Sequence, residues 1–577
     1  MIFFTSFGLT AMATEVPSVV SDLPGIVEPT SSTPTIETHV SSDTELLPSR
    51  KGKISSDHGG PGIEVSAFRL NGANDHPDLR IRIAEMEGLI EEFRARRMAD
   101  SKQLAFSDIQ EAADIITNYY RERGLIVAKA FVLAQDVVDR VVTITVLEGR
   151  LGAVKVELPE NPNYTKEQFE SLFSDQRGRP VVKAEIERAL LMARDYPGVR
   201  ISGVLSPDAK PGDTDLIIKV REEKRMDGLL SVDNYGSVYT GRTRVHFGLG
   251  FNNLAGVADR LDINLLKGIG ETNLYGSGQY GFPISDGRTH IGVGYSLNNY
   301  EAGAELEALD VDGTSETVRF YLKRDFLRSR ARRLTGLFDL SRKDSEVTFG
   351  GRNFSRDKLL VMGLMLNAQT TDSVVGNRRI GVNQFSLGHS HGFKGILGAL
   401  DGNDPNSSRT GASGEKASGQ FNKIVAGYRR HQYLTEDMAL MLKFQGQWSD
   451  DMLVSIEQLS FGGPDNVRAY PRSEFMGDKG YFGSVELFFD IQKPDEKIQS
   501  SVKKIQASVF VDYAKGWLNY PSASREEAAS LVAVGLGLRV NIRDILTGRL
   551  QIATPLGTQT ANNDKDPQVF AELQWHF

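Results

Sequence analysis

Few residues in this 577-residue chain have the types and spacing that chemistry needs. There is no Cys, so thiol proteolysis, thioredoxin-like exchange and cysteine zinc sites are excluded at once. Nine His are scattered along the sequence. His389 and His391 stand as His-x-His, a spacing that offers two nitrogens to one metal. They sit in what reads as a Gly-rich loop, no third ligand is evident, and two solvated imidazoles are the expectation. A hydrolase such as a lipase needs a nucleophile beside a base, and no Gly-x-Ser-x-Gly elbow is read. No Gly-x-x-x-x-Gly-Lys-Ser/Thr loop is present to cradle a nucleotide phosphate. The chain is not expected to be an enzyme or to carry a metal or cofactor.

Stepping from chemistry to solvent, the net charge of −8 with interspersed signs gives no basic stripe, so nucleic acid is not an expected partner. No run of roughly 18 apolar residues follows the first few positions, so a membrane crossing would require a closed barrel of strands. The length calls for two or three folding units. Ile2 to Thr10 is largely apolar and precedes Ala11-Met12-Ala13, a small-x-small pattern, which predicts a signal peptide over 1–13 although no Lys or Arg leads it. Residues 14–62 are rich in Ser, Thr and Pro without an apolar period and read as a linker.

Ile63 to Glu148 reads as strand, helix, helix, strand, strand. Ile63, Val65, Ala67 and Leu70 open it in extended style. Leu79, Ile83, Met86, Ile90 and Phe93 recur at helical spacing. In the second helix Ser107 and Gln110 make a capping-box pair, Ile109, Ala112, Ala113, Ile116, Tyr119 and Tyr120 form the buried stripe, and Gly124 supplies the stop. Segments 126–132 and 141–146 read as strands. The same order returns from Gly152 to Glu222, with Thr165 and Gln168 capping a helix, Ile186, Leu190 and Ala193 on another, and Pro197 ending it. Two sequential copies of one module imply a repeat.

From about Met226 onward helical periods vanish and alternation with period two takes over. Val245, Phe247, Leu249 and Phe251 alternate with Arg244, His246, Gly248 and Gly250. Val532, Val534, Leu536 and Leu538 alternate with Ala533, Gly535, Gly537 and Arg539. Ile505, Ala507, Val509, Val511 and Tyr513 predict a lipid face, which turns Gln506, Ser508, Phe510 and Asp512 inward, where a carboxylate costs little. The last strand carries Val569, Ala571, Leu573, Trp575 and Phe577 on its apolar face. A soluble sandwich also alternates, but an exposed aromatic as the final residue suits a barrel in lipid. The length from 225 to 577 suits about sixteen strands, with 401–420 a loop candidate.

These features resemble the two-partner secretion transporters of the Omp85 superfamily, the ShlB/FhaC/HecB type of haemolysin secretion/activation protein. The similarity covers about Ile63 to Phe577. Its most specific segment is Glu457 to Tyr470, where Val467-Arg468-Ala469-Tyr470 resembles the family's Val-Arg-Gly-Tyr/Phe tip on the sixth extracellular loop, placed here around 460–480. Ala469 replaces the Gly and is expected to tighten the backbone there. Asp233 to Arg242 and Asn252-Asn253-Leu254 resemble the opening of the family's barrel, and Gln135-Asp136 with Leu147-Glu148-Gly149 the end of its first polypeptide-transport-associated (POTRA) module. Phe510-Val511-Asp512-Tyr513-Ala514 is similar to the family's Phe-x-Asp-x-Gly strand.

The resemblance implies an arm of two α+β POTRA modules (63–149 and 150–224) in the periplasm and a transmembrane antiparallel β-barrel (225–577) in the outer membrane. It implies that Arg468 folds into the lumen and pairs with Asp512, with Val467, Tyr470 and Phe510 beside them, and that Trp575 and Phe577 form the C-terminal barrel signal. The implied partners are a secreted protein, unfolded in transit, outer-membrane lipid, and the barrel-assembly machinery for its own insertion; a monomer is implied. An Omp85-type outer-membrane assembly factor is the alternative, and a passive porin would have no use for the two modules.

Overall fold

The computed structural model describes residues 62–577 apart from 101, 211, 238, 271–272, 285–286, 304–306, 308–309, 375–378, 493–501, 523–526, 543–544 and 558. The expected signal peptide and nearly all of the expected linker lie outside the described residues. The described chain divides into two units between Lys224 and Arg225.

The first unit builds one motif twice. β1 (Ala67–Asn71), α1 (Ile83–Asp100), α2 (Phe106–Glu122), β2 (Lys129–Phe131) and β3 (Val141–Leu147) make a three-stranded sheet in the order β1-β3-β2. β3 runs parallel to β1 and antiparallel to β2. β4 (Arg150–Glu157), α3 (Lys166–Glu170), α4 (Lys183–Arg194), β5 (Val199–Pro207) and β6 (Asp213–Glu223) repeat it as β4-β6-β5 with the same strand senses. In each copy the second strand is a sheet edge. The stripe on α2 buries Ile109, Ala112, Ala113, Ile116, Tyr119 and Tyr120 as its spacing predicts. Thr117 lies buried within that stripe, donating to the Ala113 carbonyl at 3.1 Å and accepting the N–H of Ala130 at 2.9 Å. A single hydroxyl thus stitches the short strand β2 to the helix, meeting both the Ala130 N–H and the Ala113 carbonyl.

Several local expectations are corrected. The cap of α2 is not Ser107 with Gln110: the helix starts at Phe106 and the Asp108 carboxylate accepts the N–H of Ala105 at 2.9 Å. An acid three residues in satisfies the orphan donor whether or not the cap residue carries a hydroxyl. Leu79 lies in a 3-10 turn (Pro77–Leu79) ahead of α1, though it packs on the same core. Ile63 and Val65 precede β1, Ile63 forming an isolated bridge with Leu104. The strand read over 126–132 contracts to β2. Thr165 and Gln168 do cap α3, the Gln168 amide oxygen accepting the Thr165 N–H at 2.8 Å.

The two copies share backbone hydrogen bonds. Lys183 N–H donates to the Gly124 carbonyl at 2.8 Å and Val181 N–H to the Gly149 carbonyl at 3.0 Å, while Leu125 bridges Val182. Gly149 has φ +76°, and a Cβ there would stand 2.3 Å from Cγ2 of Val127.

The second unit is a closed antiparallel barrel of sixteen strands. It opens with β7 (Met226–Asp233), β8 (Arg244–Asn252), β9 (Arg260–Gly268), β10 (Asn273–Ile284), β11 (Thr289–Glu301) and β12 (Val311–Arg328). β13 (Arg332–Phe349), β14 (Arg352–Asp372), β15 (Gly381–Phe393), β16 (Phe421–Tyr433) and β17 (Met438–Trp448) follow. After a small hairpin, β18 (Leu459–Phe461) with β19 (Phe475–Gly477), come β20 (Lys479–Gln492), β21 (Val502–Trp517), β22 (Ala528–Ile542), β23 (Leu546–Pro555) and β24 (Gln568–His576). Each strand pairs with its sequence neighbour, the hairpin aside, and β24 pairs with β7. No edge is left, as lipid requires.

The alternation sorts the wall. On β21 Val509, Val511 and Tyr513 are 43%, 48% and 38% exposed, whereas Phe510 and Asp512 are 2% and 0%. The longest connections, 394–420 and 449–478, leave the same end of the barrel, which is therefore the outer end. At the closing seam the Asn234 side chain donates to the Val569 carbonyl (3.0 Å) and accepts the Ala571 N–H (2.8 Å), lengthening the β24–β7 ladder by one side chain.

Gly149→Ala is expected to destabilise the arm by about 1–2 kcal/mol, since a methyl group must take up left-handed φ against Val127. A thermal melt of the soluble arm checks this: the midpoint should fall by several degrees, and an unchanged melt would show that the turn tolerates a side chain.

Candidate functional site

The sixth outer loop (449–478) carries the hairpin β18–β19 and turns its tip inward. Val467, Ala469 and Tyr470 are buried with Phe461 against Phe482, Phe510, Ala514, Leu531, Ala533 and Ala553 of the inner wall. The small residues on β21, β22 and β23 leave the space that the tip fills. Ala469 keeps its backbone out of the left-handed region, and its methyl group joins the packing.

Arg468 is the centre of this contact. Its Nε donates to Asp512 Oδ2 at 2.8 Å and its Nη2 to Asp512 Oδ1 at 2.7 Å, a bidentate pair, and its own backbone N–H reaches Oδ2 at 3.1 Å. Nη1 donates to Glu486 Oε2 at 2.8 Å and Nη2 also to Ser484 Oγ at 3.1 Å. Ser484 Oγ in turn donates to Asp512 Oδ1 at 2.7 Å, and Ser508 Oγ to Glu486 Oε1 at 2.6 Å. The guanidinium lies over the ring of Phe510, 3.3 Å from its centroid. The wall is built for this by register: Ser484 on β20 stands opposite Asp512 on β21, and Glu486 opposite Phe510. Gly535 on β22 completes the slot, because a Cβ there would come within 2.3 Å of the Phe510 ring and displace it from its place under the guanidinium.

The physics is that of a buried ion cluster. One cation faces two carboxylates with every near oxygen hydrogen-bonded, and a planar fork suits that geometry where an ammonium would not. Burying such charges costs several kcal/mol each, so the cluster adds little net stability, but removing one member leaves the others unpaired at about 3–5 kcal/mol. The tip is thereby held in one place. Tyr470 Oη donates to the Gln559 carbonyl at 3.1 Å, and the Glu474 carboxylate accepts the Asn562 N–H at 3.1 Å, so the loop is also bonded to the eighth outer loop (556–567).

Sequence reasoning missed two further ties. Glu457, at the root of the loop, accepts from Lys343 Nζ on β13 and Lys423 Nζ on β16, each at 2.7 Å. Asp478, at the other root, is fully buried and pairs with Arg409 of the fifth outer loop (394–420). Asp478 also accepts the N–H groups of Asn519 (2.7 Å) and Leu453 (3.1 Å). The available signal was Lys at inward-facing strand positions, which a wet lumen excuses and which therefore draws no attention.

The remaining candidates are placed elsewhere. Trp575 and Phe577 lie on the exposed face at the chain end, rings 5.3 Å apart, and Phe577 exchanges backbone hydrogen bonds with Gly228 across the seam at 3.0 Å. His389 and His391 are on strand β15, not in a loop; His391 Nδ1 lies 2.9 Å from Asn422 Oδ1, and no metal-binding group of side chains occurs among the described residues. Contrary to the expectation above, Gly388-His389-Ser390-His391-Gly392 does spell Gly-x-Ser-x-Gly. It runs through a strand paired on both sides, so it forms no strand-to-helix elbow.

A closed sixteen-strand barrel with a latched sixth loop and a POTRA-type α+β arm defines an outer-membrane transporter of the two-partner secretion kind. The chain belongs to the haemolysin secretion/activation protein ShlB/FhaC/HecB family, whose model matches residues 212–540; the ShlB-type POTRA domain model matches 85–149. It is 27% identical over 479 residues to the heme/hemopexin transporter protein HuxB of Haemophilus influenzae, with 80% of each chain covered. It is 25% identical over 501 residues to the outer membrane transporter CdiB of Escherichia coli, covering 83% of this chain and 76% of that one. Among solved structures, CdiB from Escherichia coli matches over the full length of both chains with a TM-score of 0.71 at 20% identity. BamA from Haemophilus ducreyi lacking POTRA domains 1–3 matches with a TM-score of 0.52 at 14% identity, over 89% of this chain and all of that one. At these identities the two structures speak for the fold alone.

Arg468→Ala and Asp512→Ala are each expected to free the tip, raising the rate of protease cleavage within 449–478 at least tenfold. The double variant should be no worse than either single, because the two act as one unit. Arg468→Lys should not restore protection. Wild-type cleavage rates in all four variants would show that the loop is held without the cluster.

Proposed function

We propose that the arm captures an extended segment of a secreted partner protein in the periplasm and that the barrel passes it to the cell surface as the sixth loop leaves the lumen. In this reading 63–149 is POTRA 1, 150–224 is POTRA 2 and 225–577 is the conducting barrel. Val467, Arg468, Tyr470, Phe510 and Asp512 form the latch. Trp575 and Phe577 serve the barrel's own insertion by the assembly machinery, and one chain, whose strands close without a second copy, is the working unit.

Strand addition is the favoured mode of capture, since backbone hydrogen bonds at a sheet edge bind without strict sequence demand. β5 offers the longer edge, nine residues against three for β2. Movement needs no nucleotide, because folding outside biases an extended chain outward.

The observation that carries the proposal is the loop tip held inside the lumen by Arg468. A passive pore gains nothing from a latched loop, whereas a conduit that must stay closed until a large cargo arrives needs one.

Deleting 62–224 is expected to abolish surface display of the partner while leaving a barrel that inserts and migrates as folded on an unheated gel. Other outer-membrane barrels should keep their normal levels in the deletion strain. Continued export would remove the arm from the route, and a general loss of barrels would favour the assembly-factor reading.

A further inference from the structure

Two lysines lie on the lipid-facing side of the barrel at its outer end, set in an aromatic cluster. Alternation turns Phe444 and Trp448 of β17, Lys479 and Tyr481 of β20, and Tyr513, Lys515 and Trp517 of β21 outward, on the side opposite the buried Ser484 and Asp512. Ring centroids of Tyr481 lie 6.3 Å from Phe444, 6.1 Å from Tyr513 and 6.0 Å from Trp517. Lys479 Nζ stands 5.2 Å from the centroid of Trp448, and Lys515 Nζ 5.1 Å from that of Trp517. Lys479 pairs in register with Trp517 and Tyr481 with Lys515, so the two lysines are diagonal neighbours on adjacent strands. Their Cβ atoms are then about 7 Å apart, within reach of one small anion.

Neither ammonium has a carboxylate partner among the described residues; their contacts are the two indole rings. Toward the bilayer centre the same face turns aliphatic, with Val485, Val509 and Val511 exposed. Two like charges side by side repel, and the indole rings offset that repulsion only in part. An anion held at the depth of the membrane surface would neutralise that repulsion. We propose that this patch binds lipid A of the outer leaflet, with Lys479 and Lys515 on a glucosamine phosphate and the Phe444, Tyr481, Tyr513 and Trp517 rings under the sugar and the first acyl carbons. A free phosphate would meet the same lysines but leave the aromatic floor unused. The site lies on the outside of β20 and β21, the two strands whose inner face holds Arg468. It rests on the outer-membrane placement and not on the route of export.

The test is native mass spectrometry of the full-length chain in nonionic detergent, titrated with bisphosphorylated lipid A. One tightly retained lipid is expected for the wild type, and Lys479→Gln/Lys515→Gln should weaken its binding about tenfold, near 1.4 kcal/mol, while the barrel still migrates as folded unheated. Should the double variant not fold, each single variant carries the same comparison. Dephosphorylated lipid A and phosphatidylglycerol should bind at least tenfold more weakly, and equimolar inorganic phosphate should not displace lipid A. Wild-type affinity in the variants, equal binding of dephosphorylated lipid A or phosphatidylglycerol, or displacement by inorganic phosphate would each overturn the assignment. Export can fail or persist without touching this result.

Discussion

The guanidinium of Arg468 ties a loop that leaves the outer rim to the inner wall of the barrel, and the surrounding sequence is arranged around that one contact. Its plane meets Asp512 edge-on through two hydrogen bonds and rests face-down on Phe510. Both demands fix where β20, β21 and β22 place their inward side chains. Ser484 and Glu486 accept two further hydrogen bonds from it, and Gly535 leaves room for the ring. A change of one residue in the register of β21 would turn Asp512 to lipid and Val511 to the lumen, removing the acceptor and placing a charge in hydrocarbon.

That dependence on parity explains why so much of the barrel was readable from the chain. Every second residue of a wall between lipid and water must be apolar, and strands such as 505–513 or 569–577 declare their sides with no further information. Helical stripes on α2 and α4 were equally plain, because a face that packs on a sheet repeats every three or four residues. The pairing of Arg468 with Asp512 was not readable in this way. Each taken alone is a polar residue on a polar surface, and only the likeness of two distant segments to a family pattern joined them.

What escaped notice shares a physical cause. Glu457, Lys343 and Lys423 come from a loop and two strands far apart in the chain, and Arg409 with Asp478 from two different loops. A tertiary ion cluster has no local period, and its members look like ordinary solvated charges until the fold brings them together. The cap on α2 failed for a smaller version of the same reason: Ser107 and Asp108 are both plausible beside a helix start, and the chain geometry one residue upstream decides between them. His389 and His391 read as a loop because Gly388 and Gly392 flank them, yet in a barrel wall small residues make room for large neighbours, and Gly392 lies under the Phe421 ring.

The arrangement of charges also bears on how such a loop could leave. The sixth loop is anchored at its tip by Arg468 and at its roots by Glu457 and Asp478, all of them buried. While the tip fills the lumen, freeing Arg468 leaves Asp512 and Glu486 without their cation, each with a single serine hydroxyl donor from the wall, and a buried carboxylate that has lost its cation is costly. Once water enters beside an extended chain, the same carboxylates are hydrated where they stand and most of that penalty disappears. On the proposed reading the latch is therefore stiff while the tip is packed against the wall and weak once solvent reaches it, so that the arrival of cargo with its hydration lowers the barrier it faces. The root anchors behave differently. Glu457 and Asp478 are held by Lys343, Lys423 and Gln447 of the wall and by Arg409 and Asn519 of other loops, so they hold the base of the loop while its tip moves.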